Sequence, residues 1–476
     1  MKIQLAFLPL LLLCLIKNVG YAQNIVSYSV PKELYYAAHN DDFTVRVRSI
    51  GGKWQDLYEY KVKVDADNVQ EASMVNFDFA KPIELAITKN NGDIHSVKIR
   101  PLSHGIKSTL TDNTIHFVLN KPVNLSVEVN GDKLHNLHVF ANPILENIPK
   151  ATDKNVMYFG AGTHFPKDST GKAFIIPSNT TVYIDGGAVL KGKLVCNKVE
   201  NVKIYGRGII DNPQRGIEIM HAKNIEVDGI VVRNPEHYTV YGGESQGIII
   251  KNIKSFSHKG WGDGIDLMSC SNVLIDGVFL RTSDDCIAIY AHRWNFYGNA
   301  KNILVKNSTL WADIAHPTNI GLHGNAEKGW AGDTIENVTL RNIDILEHDE
   351  DDRNYQGCLS INASDNNLVR NLLYEDIRIE KFQEGQVFNL RVYFNEKYSA
   401  AAGRGIQHVK FKNITYQGNL DNPSLLQGFN ATRKVEDIVF ENVKINGNLI
   451  LNPVAGNIVI GQHVKDVQFI KSEVKR

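Results

Sequence analysis

The feature that most constrains the fold is a short phrase that recurs along the C-terminal two-thirds of the chain. It consists of a polar residue, aliphatic residues at alternate positions, then Asn, Asp or Gly, as in 224-NIEVDGI-230 and 272-NVLIDGV-278. Copies begin at positions 181, 201, 224, 247, 272, 302, 337, 371, 408, 437 and 466, at intervals of 20 to 37 residues. A period of this length is typical of repeat proteins, in which each unit stacks on its neighbours.

The repeat unit shows the period-two alternation of strands and no helical periodicity, so we predict a parallel β-solenoid over residues 158–470. One coil per repeat gives about ten or more coils. Inward aliphatic residues would stack from coil to coil, and the Asn and Asp residues would form bends and ladders. A β-propeller is the alternative, but its blades need four strands in roughly 40 residues, and the shortest repeats are too short for that.

The preceding segment, residues 23–145, has a different pattern. Short alternating runs such as 43-FTVRVRSI-50 and 83-IELAITK-89 are separated by turn residues. The turns 90-NNGD-93 and 130-NGD-132 are of the hairpin type. This pattern predicts an antiparallel β-sandwich, so the whole chain is expected to be all-β. No motif in the sandwich carries chemistry, and a binding or docking role for it stays open.

Residues 1–22 are typical of a secretory signal peptide. Lys2 supplies the positive charge, residues 5–16 are nearly all apolar, and 20-GYA-22 is a small-x-small cleavage site. The apolar run is shorter than the roughly 20 residues that span a bilayer, so we expect no membrane insertion of the mature chain. The predicted location is secreted or periplasmic, with a lipoprotein anchor at Cys14 as the alternative.

Charge and cysteine usage exclude several function classes. The chain has 52 Lys and Arg against 52 Asp and Glu, so no global field attracts nucleic acid, and none is expected as a partner. The cysteines beyond residue 22 lie in apolar contexts without CxxC spacing, which favours buried hydrophobic positions over a zinc site. We therefore predict that the chain has no metal or cofactor. It is also expected to be a monomer. These cysteines are Cys196, Cys270, Cys286 and Cys358.

Ionisable residues recur at a similar offset in successive repeats. Asp263 lies 16 residues after its repeat start, Asp284 and Asp285 lie 12 and 13 after theirs, and His316 lies 14 after its own. Stacked coils are about 4.7–4.9 Å apart, so these side chains should cluster. Crowded carboxyl groups raise at least one pKa and separate a proton donor from a base, as glycoside hydrolysis requires. A solvated charged face is the simpler alternative.

Residues around this cluster suit a sugar substrate. Aromatic rings that could stack on sugars flank it, and the loop 291-AHRWNFYGNAK-301 could wall a cleft. We expect a polysaccharide or oligosaccharide as the partner. The candidate substrate-binding residues are His316, His237, Trp261, Tyr290, His323 and Arg293.

At these residues the chain resembles the polygalacturonase-type glycoside hydrolases of family 28, which belong to the pectate-lyase-like superfamily. The family pattern is Asn-Thr-Asp-Gly, Gly-Asp-Asp and Gly-His-Gly on successive coils. It is matched by 261-WGDGID-266, 283-SDDC-286 and 315-AHPTNIG-321. The order of sandwich and solenoid also resembles the dextranase and isopullulanase enzymes of family 49.

The resemblance implies a right-handed parallel β-helix and hydrolysis with inversion. It implies that Asp284 is the general acid, that Asp263 and Asp285 hold and activate a water molecule, and that His316 tunes the acid or holds substrate. Family 28 also grips the galacturonate carboxylate with an Arg-x-Lys pair. Here 357-GCLSIN-362 stands at that place without a cation.

This departure leaves the substrate open. The acidic stretch 347-EHDEDDRN-354 would repel a uronic acid, which favours a neutral or differently decorated polysaccharide. Arg293 and Arg391 could replace the missing cations, or could serve as structural ion-pair partners. Polygalacturonate and other polysaccharides therefore both remain candidates.

Two other functions are compatible with a solenoid that takes a polysaccharide as its partner. A polysaccharide lyase would need calcium, for which 349-DEDD-352 is a candidate, and a cationic base beside a uronate. A non-catalytic glycan-binding solenoid would bind without turnover. An unsaturated product distinguishes a lyase, and absence of any product distinguishes a binding protein.

Overall fold

The computed structural model describes residues 24–167, 171–327 and 331–472. The expected signal peptide, residues 1–22, and the alternative lipoprotein site at Cys14 lie outside these ranges. Within them the helical elements are two 3-10 turns, Lys32–Leu34 and Leu102–His104. No helix in the described ranges is long and apolar enough to cross a membrane.

Two facing sheets form the N-terminal sandwich. The six-stranded sheet contains Ile25–Ser27, Tyr60–Val64, Gln70–Phe79, Val97–Arg100, Val123–Val129 and Asp132–Pro143. The five-stranded sheet contains Phe43–Ser49, Gln55–Asp56, Ile83–Lys89, Thr109–Thr111 and Thr114–Leu119. Pairing is antiparallel except between Gln70–Phe79 and Asp132–Pro143. Their apolar faces enclose a separate core.

The two predicted hairpin turns differ in outcome. Asn130 and Gly131 have φ angles of 58° and 76° and close a two-residue hairpin, with Val129 paired to Asp132. This conformation requires positive φ at both central positions, which Asn-Gly tolerates. The hairpin predicted at 90-NNGD-93 is wrong, because the strands before and after it belong to different sheets. That turn connects one sheet of the sandwich to the other.

The rest of the chain winds into a parallel solenoid of two sheets. One sheet has twenty-one strands, and nearly all its pairs are parallel. They are Val156–Phe159, Gly162–His164, Thr181–Ile184, Ala188–Leu190, Glu200–Gly206, Ile209–Asp211, Lys223–Asp228, Val231–Arg233, Gln246–Lys251, Lys254–Phe256, Ser271–Asp276, Phe279–Thr282, Ala300–Ala312, Thr334–Glu347, Leu368–Ile379, Gly405–Lys412, Thr415–Tyr416, Val435–Glu441, Lys444–Ile445, Asn448–Leu449 and Val464–Ile470.

The other sheet has eleven strands, one from each successive coil, in agreement with the coil number predicted from the repeats. We refer to it as the eleven-stranded sheet. Its strands are Ala173–Ile175, Lys193–Asn197, Ile217–Met220, Val240–Gly243, Ile265–Met268, Ile287–Tyr290, Thr318–Ile320, Leu359–Ala363, Phe388–Val392, Ser424–Gln427 and Ile458–Ile460.

The polar residues of the repeat phrase set the bends of the coils. The first residue of the repeat has a φ between 50° and 70° in ten copies, a region that Asn, Asp and Gly tolerate best. The Asn side chains also form the predicted ladder, since the Asn302 amide donates to Asn272 at 3.0 Å and Asn337 donates to Asn302 at 3.1 Å. The residues at the bends are Asn201, Asn224, Gly247, Asn272, Asn302, Asn337, Asn371, His408, Asp437 and Asp466.

The aliphatic residues of the phrase stack inside the coils as predicted. Ile225, Ile248, Val273, Ile303 and Val338 are paired in register on five successive coils and are almost completely buried. The four cysteines beyond residue 22 are free and buried in the same core, which confirms their interpretation as small hydrophobic residues.

The sandwich packs against one side of the solenoid. Phe140 of the sandwich contacts Phe256 and Phe279, with ring centroids 5.8 and 5.2 Å apart. Asn136 of the sandwich accepts a hydrogen bond of 2.9 Å from Arg281 of the solenoid. The buried contact therefore includes polar as well as apolar groups.

Candidate active site

Three carboxyl groups meet in turns that precede successive strands of the eleven-stranded sheet. Asp263, Asp284 and Asp285 each place an oxygen within 4.8 Å of the other two, as their similar offsets predict. The coils hold them in register, because the Gly264 N–H donates to the Asp285 carbonyl at 2.8 Å. We call residues 257–264, 283–286 and 313–317 the three site turns.

Asp285 and His316 form a buried ion pair. His316 Nδ1 lies 2.7 Å from Asp285 Oδ1, and His316 Nε2 lies 2.6 Å from the Tyr355 carbonyl oxygen. Both partners are acceptors, so both ring nitrogens carry a proton and the imidazole is charged. Burial alone would lower the pKa of His316, but the charge of Asp285 raises it to about 9. This pair places the charge of His316 against the Asp285 carboxylate.

Asp284 has the opposite environment. Its pKa is raised to about 7, first by burial and then by the neighbouring charge of Asp285. Its oxygens accept hydrogen bonds from the backbone N–H groups of Asp285 and Trp261, at 2.9 and 3.2 Å. Its side chain is partly accessible, whereas Asp263 and Asp285 are buried. Asp284 is therefore the carboxyl group of the three best suited to donate a proton outward.

Asp263 has a neighbour that the sequence analysis missed. Asp266 is fully buried, and its two oxygens have no hydrogen-bond partner among the described residues; the same holds for Asp263 Oδ1. Burial, followed by the charge of Asp266, raises the pKa of Asp263 well above its usual value. The only sequence signal was its place at the end of 263-DGID-266, where it interrupts the apolar strand Ile265–Met268.

A serine pair joins the first two site turns. Ser257 Oγ donates to the Gly262 carbonyl and accepts from the Ser283 N–H at 3.0 Å. Ser283 Oγ in turn donates to the Lys259 carbonyl at 2.8 Å. Both hydroxyl groups are buried, so they fix the position of Asp263 relative to Asp284.

Arg293 lies beside the carboxyl groups among aromatic rings. Its guanidinium is 5.4 Å from the centroid of Tyr290 and 5.7 Å from those of Tyr238 and Trp294. Across the described ranges no carboxylate lies within 4.0 Å of it, although its charge acts on Asp266. The cation is therefore not neutralised by direct pairing.

The other predicted substrate-binding residues occupy two layers. Trp261 is 55% exposed, and its backbone has a φ of 63°, uncommon for a bulky residue. His237 packs against Tyr238, and burial, followed by the charge of Arg215, lowers its pKa to about 4. Tyr290 and His323 form an inner layer with ring centroids 4.9 Å apart, and Tyr290 is only 1% exposed. Tyr290 thus supports Arg293 from beneath instead of presenting a face to solvent.

The acidic segment 349-DEDD-352 does not converge into a cation site. Asp349 accepts a hydrogen bond from Gln383 at 2.9 Å, and Glu350 accepts one from the Asp352 N–H at 2.9 Å. Among the described residues, the one group whose ligand atoms gather closely enough for a metal ion is the Asp263, Asp284 and Asp285 cluster. The charged His316 beside it opposes binding of a cation there.

Comparison with known proteins identifies the family. The sequence model of glycosyl hydrolases family 28 matches residues 150–457. The chain belongs to this family. A protein described as probable endopolygalacturonase D from Neosartorya fischeri is 23% identical over 283 residues, which cover 57% of this chain and 53% of that protein. The chain thus spans about half the length of this family 28 relative.

A solved structure shows the same fold. The family 28 exopolygalacturonase of Yersinia enterocolitica aligns with a TM-score of 0.50 and 12% identity, over 82% of this chain and 97% of that one. This likeness confirms the predicted right-handed parallel β-helix preceded by a β-sandwich. Dex49A from Penicillium minioluteum aligns over 95% of this chain and 92% of its own, with 13% identity and a TM-score of 0.46.

Proposed function

We propose that this family 28 protein hydrolyses glycosidic bonds of a polysaccharide by acid–base catalysis. The observation that carries the proposal is the division of labour within one cluster. Asp284 has a pKa of about 7, while Asp285 beside it is ion-paired with the charged His316. Glycoside hydrolysis needs such a pair of unlike carboxyl groups.

In this mechanism Asp284 protonates the oxygen of the leaving sugar as the glycosidic bond breaks. Asp263 and Asp285 orient a water molecule toward the sugar carbon, and one of them accepts its proton. Asp263 is the stronger base when ionised, because its surroundings raise its pKa and both oxygens of Asp285 already accept hydrogen bonds. The proton balance is closed when the base releases its proton to solvent and solvent returns a proton to Asp284.

The resemblance to family 28 also predicts inversion at the sugar carbon. The carboxyl groups of Asp263, Asp284 and Asp285 have oxygens within 4.8 Å of one another. This is closer than the roughly 6.5–9.5 Å that usually separates the two carboxyl groups of an inverting enzyme. Proton NMR of the first product distinguishes the outcomes. We expect the inverted anomer, and a product of retained configuration would contradict direct attack by water.

The substrate class we propose is an acidic, uronate-containing polysaccharide. Arg293 supports it, because its charge lies beside the cluster without a carboxylate partner among the described residues. The polygalacturonase names of the relatives agree with it. A neutral polysaccharide is the second candidate, favoured by the absence of cations from 357-GCLSIN-362.

We also propose that the protein acts outside the cytoplasm, because residues 1–22 have the pattern of a signal peptide. Expression of the full chain in a secreting host tests this. A mature N-terminus at Gln23 is expected, and retention of residues 1–22 on a cytoplasmic product would contradict it.

A panel of polysaccharides tests activity and substrate together. Polygalacturonate, xylogalacturonan and dextran are incubated with the protein, and new reducing ends and ultraviolet-absorbing unsaturated products are measured. Reducing ends without ultraviolet absorption are expected, and unsaturated products would indicate a lyase. Binding without products on every polysaccharide would indicate a glycan-binding protein.

Arg293→Met separates the two substrate classes. The variant should lose activity on polygalacturonate and retain it on a neutral polysaccharide if the uronate carboxylate binds Arg293. Arg46→Met is the matched control, because Arg46 pairs with Asp56 on the exposed surface of the sandwich. Equal activity of Arg293→Met and wild type on polygalacturonate would contradict the assignment.

A further inference from the structure

Three buried asparagines on successive coils form a line of hydrogen bonds that ends on Asp285. Asn389 Nδ2 donates to Asn362 Oδ1 at 3.1 Å, and Asn362 Nδ2 donates to Asn319 Oδ1 at 3.0 Å. Asn319 Nδ2 then donates to Asp285 Oδ2 at 2.7 Å. The three amides are at most 1% exposed. We call Asn319, Asn362 and Asn389 the amide relay.

The polarity of the amide relay is fixed at its end. The Asp285 carboxylate, paired with the charged His316, accepts from Asn319, so Asn319 turns its nitrogen toward Asp285 and its oxygen toward Asn362. The same requirement then passes to Asn362 and from it to Asn389. The second N–H of Asn319 donates to Tyr355 Oη at 2.6 Å, and that of Asn362 donates to Ser360 Oγ at 2.6 Å. The line of bonds therefore fixes the orientation of each amide, and both N–H groups of Asn319 and Asn362 have acceptors.

We propose that the amide relay is a positioning device that holds the Asp285 carboxylate oriented for the attack of water. This inference rests on the proposed function, because it concerns a carboxylate of that site. Hydrogen bonds to a charged acceptor are stronger than neutral ones, and bonds in a line polarise one another in a buried environment. Asn319 and His316 thus hold the two oxygens of Asp285 from two sides.

The amide relay also accounts for the departure at 357-GCLSIN-362. This stretch stands where the family resemblance places the galacturonate-binding Arg and Lys, and its Ser360 and Asn362 are completely buried. Their polar groups are engaged with each other and with Asn319. The stretch 357–362 thus affects catalysis through Asp285, and other residues recognise the sugar.

The test compares Asn362→Leu and Asn389→Leu with wild type on a polysaccharide that wild type cleaves. Leucine keeps the branched shape of asparagine, with a larger volume, and removes the amide. For Asn362→Leu we expect kcat to fall about tenfold with KM little changed, because Asn319 Oδ1 loses its buried donor and Asn319 is no longer held against Asp285. Asn389→Leu should give smaller changes in the same directions.

Asn337→Gly is the matched control. It removes an amide from the exposed asparagine ladder, tolerates the local φ of 58°, and should leave kcat and KM unchanged. If Asn362→Leu fails to fold, Asn389→Leu alone provides the test, since it removes one bond of the relay. Wild-type kcat in the folded variants would overturn the relay. Asp285→Asn separates this failure from failure of the proposed function, because an active Asp285→Asn enzyme would contradict the function itself.

Discussion

Arg281 and Asp313 form a buried, two-point ion pair between neighbouring coils. Arg281 Nε lies 2.8 Å from Asp313 Oδ2, and Arg281 Nη2 lies 3.0 Å from Asp313 Oδ1. Arg281 precedes Asp284 by three residues, and Asp313 precedes His316 by three. Because Arg281 also donates to Asn136 of the sandwich, one ion pair connects two site turns to the N-terminal sheets.

Replacement of Arg281 should strongly destabilise the protein. Arg281→Leu leaves the Asp313 carboxylate buried without its cation, and breaking a buried pair in this way costs about 3–5 kcal/mol. Urea unfolding of the whole chain measures the loss. Arg46→Leu is the control, since its pair with Asp56 is exposed and such pairs contribute about 0–1 kcal/mol. Equal losses in the two variants would contradict a structural role for the buried pair.

The rate should fall as pH rises through about 7. The pKa of Asp284 is raised to about 7, so above that pH the group increasingly lacks the proton that it donates to the leaving sugar. Measurement of kcat against pH at saturating substrate tests this. A rate that stays constant from about pH 6 to about pH 9 would contradict the role of Asp284 as the acid.

Stability should decline at alkaline pH because of His316. Its pKa is raised from 6.5 to about 9, so the folded state binds its proton more tightly than the unfolded chain does. This contribution is complete below about pH 6.5 and is lost as pH rises through about 9. In His316→Gln the free energy of unfolding should lack this decline. His463→Gln, at an exposed position, should keep the wild-type decline.

The serine pair should show energetic coupling. Ser257→Ala leaves the Gly262 carbonyl and the Ser283 N–H without their buried partner, which should cost about 1–3 kcal/mol in the free energy of unfolding. A double-mutant cycle with Ser283→Ala should give a coupling energy of about 0.5–3 kcal/mol. Additive losses would show that the two hydroxyl groups act independently.

The solenoid and the core of the site were predictable from the sequence because stacked coils repeat the same requirements. Each coil needs inward aliphatic residues and a residue that tolerates positive φ, which produces the repeated phrase. Asp263, Asp284, Asp285 and His316 were expected to meet because they lie at similar offsets within that repeat, and they do. The free, buried cysteines follow from the same apolar pattern.

The amide relay was not predictable in this way. Asn319, Asn362 and Asn389 lie 17, 25 and 18 residues after the repeat starts at 302, 337 and 371, because loops of different length precede their strands. Counting along the chain therefore does not bring them together, whereas the hydrogen bonds between them do. The hairpin predicted at 90-NNGD-93 is wrong for a related reason. A local turn sequence does not specify which sheet the next strand joins.

The most direct test of the account is the activity of Asp284→Asn. The variant keeps the shape of the side chain and removes the proton that the mechanism transfers to the leaving sugar. On a polysaccharide that wild type cleaves, release of reducing ends should fall about 10²–10⁴-fold, while urea unfolding shows an intact fold. A folded Asp284→Asn protein that releases reducing ends at the wild-type rate would contradict the central claim.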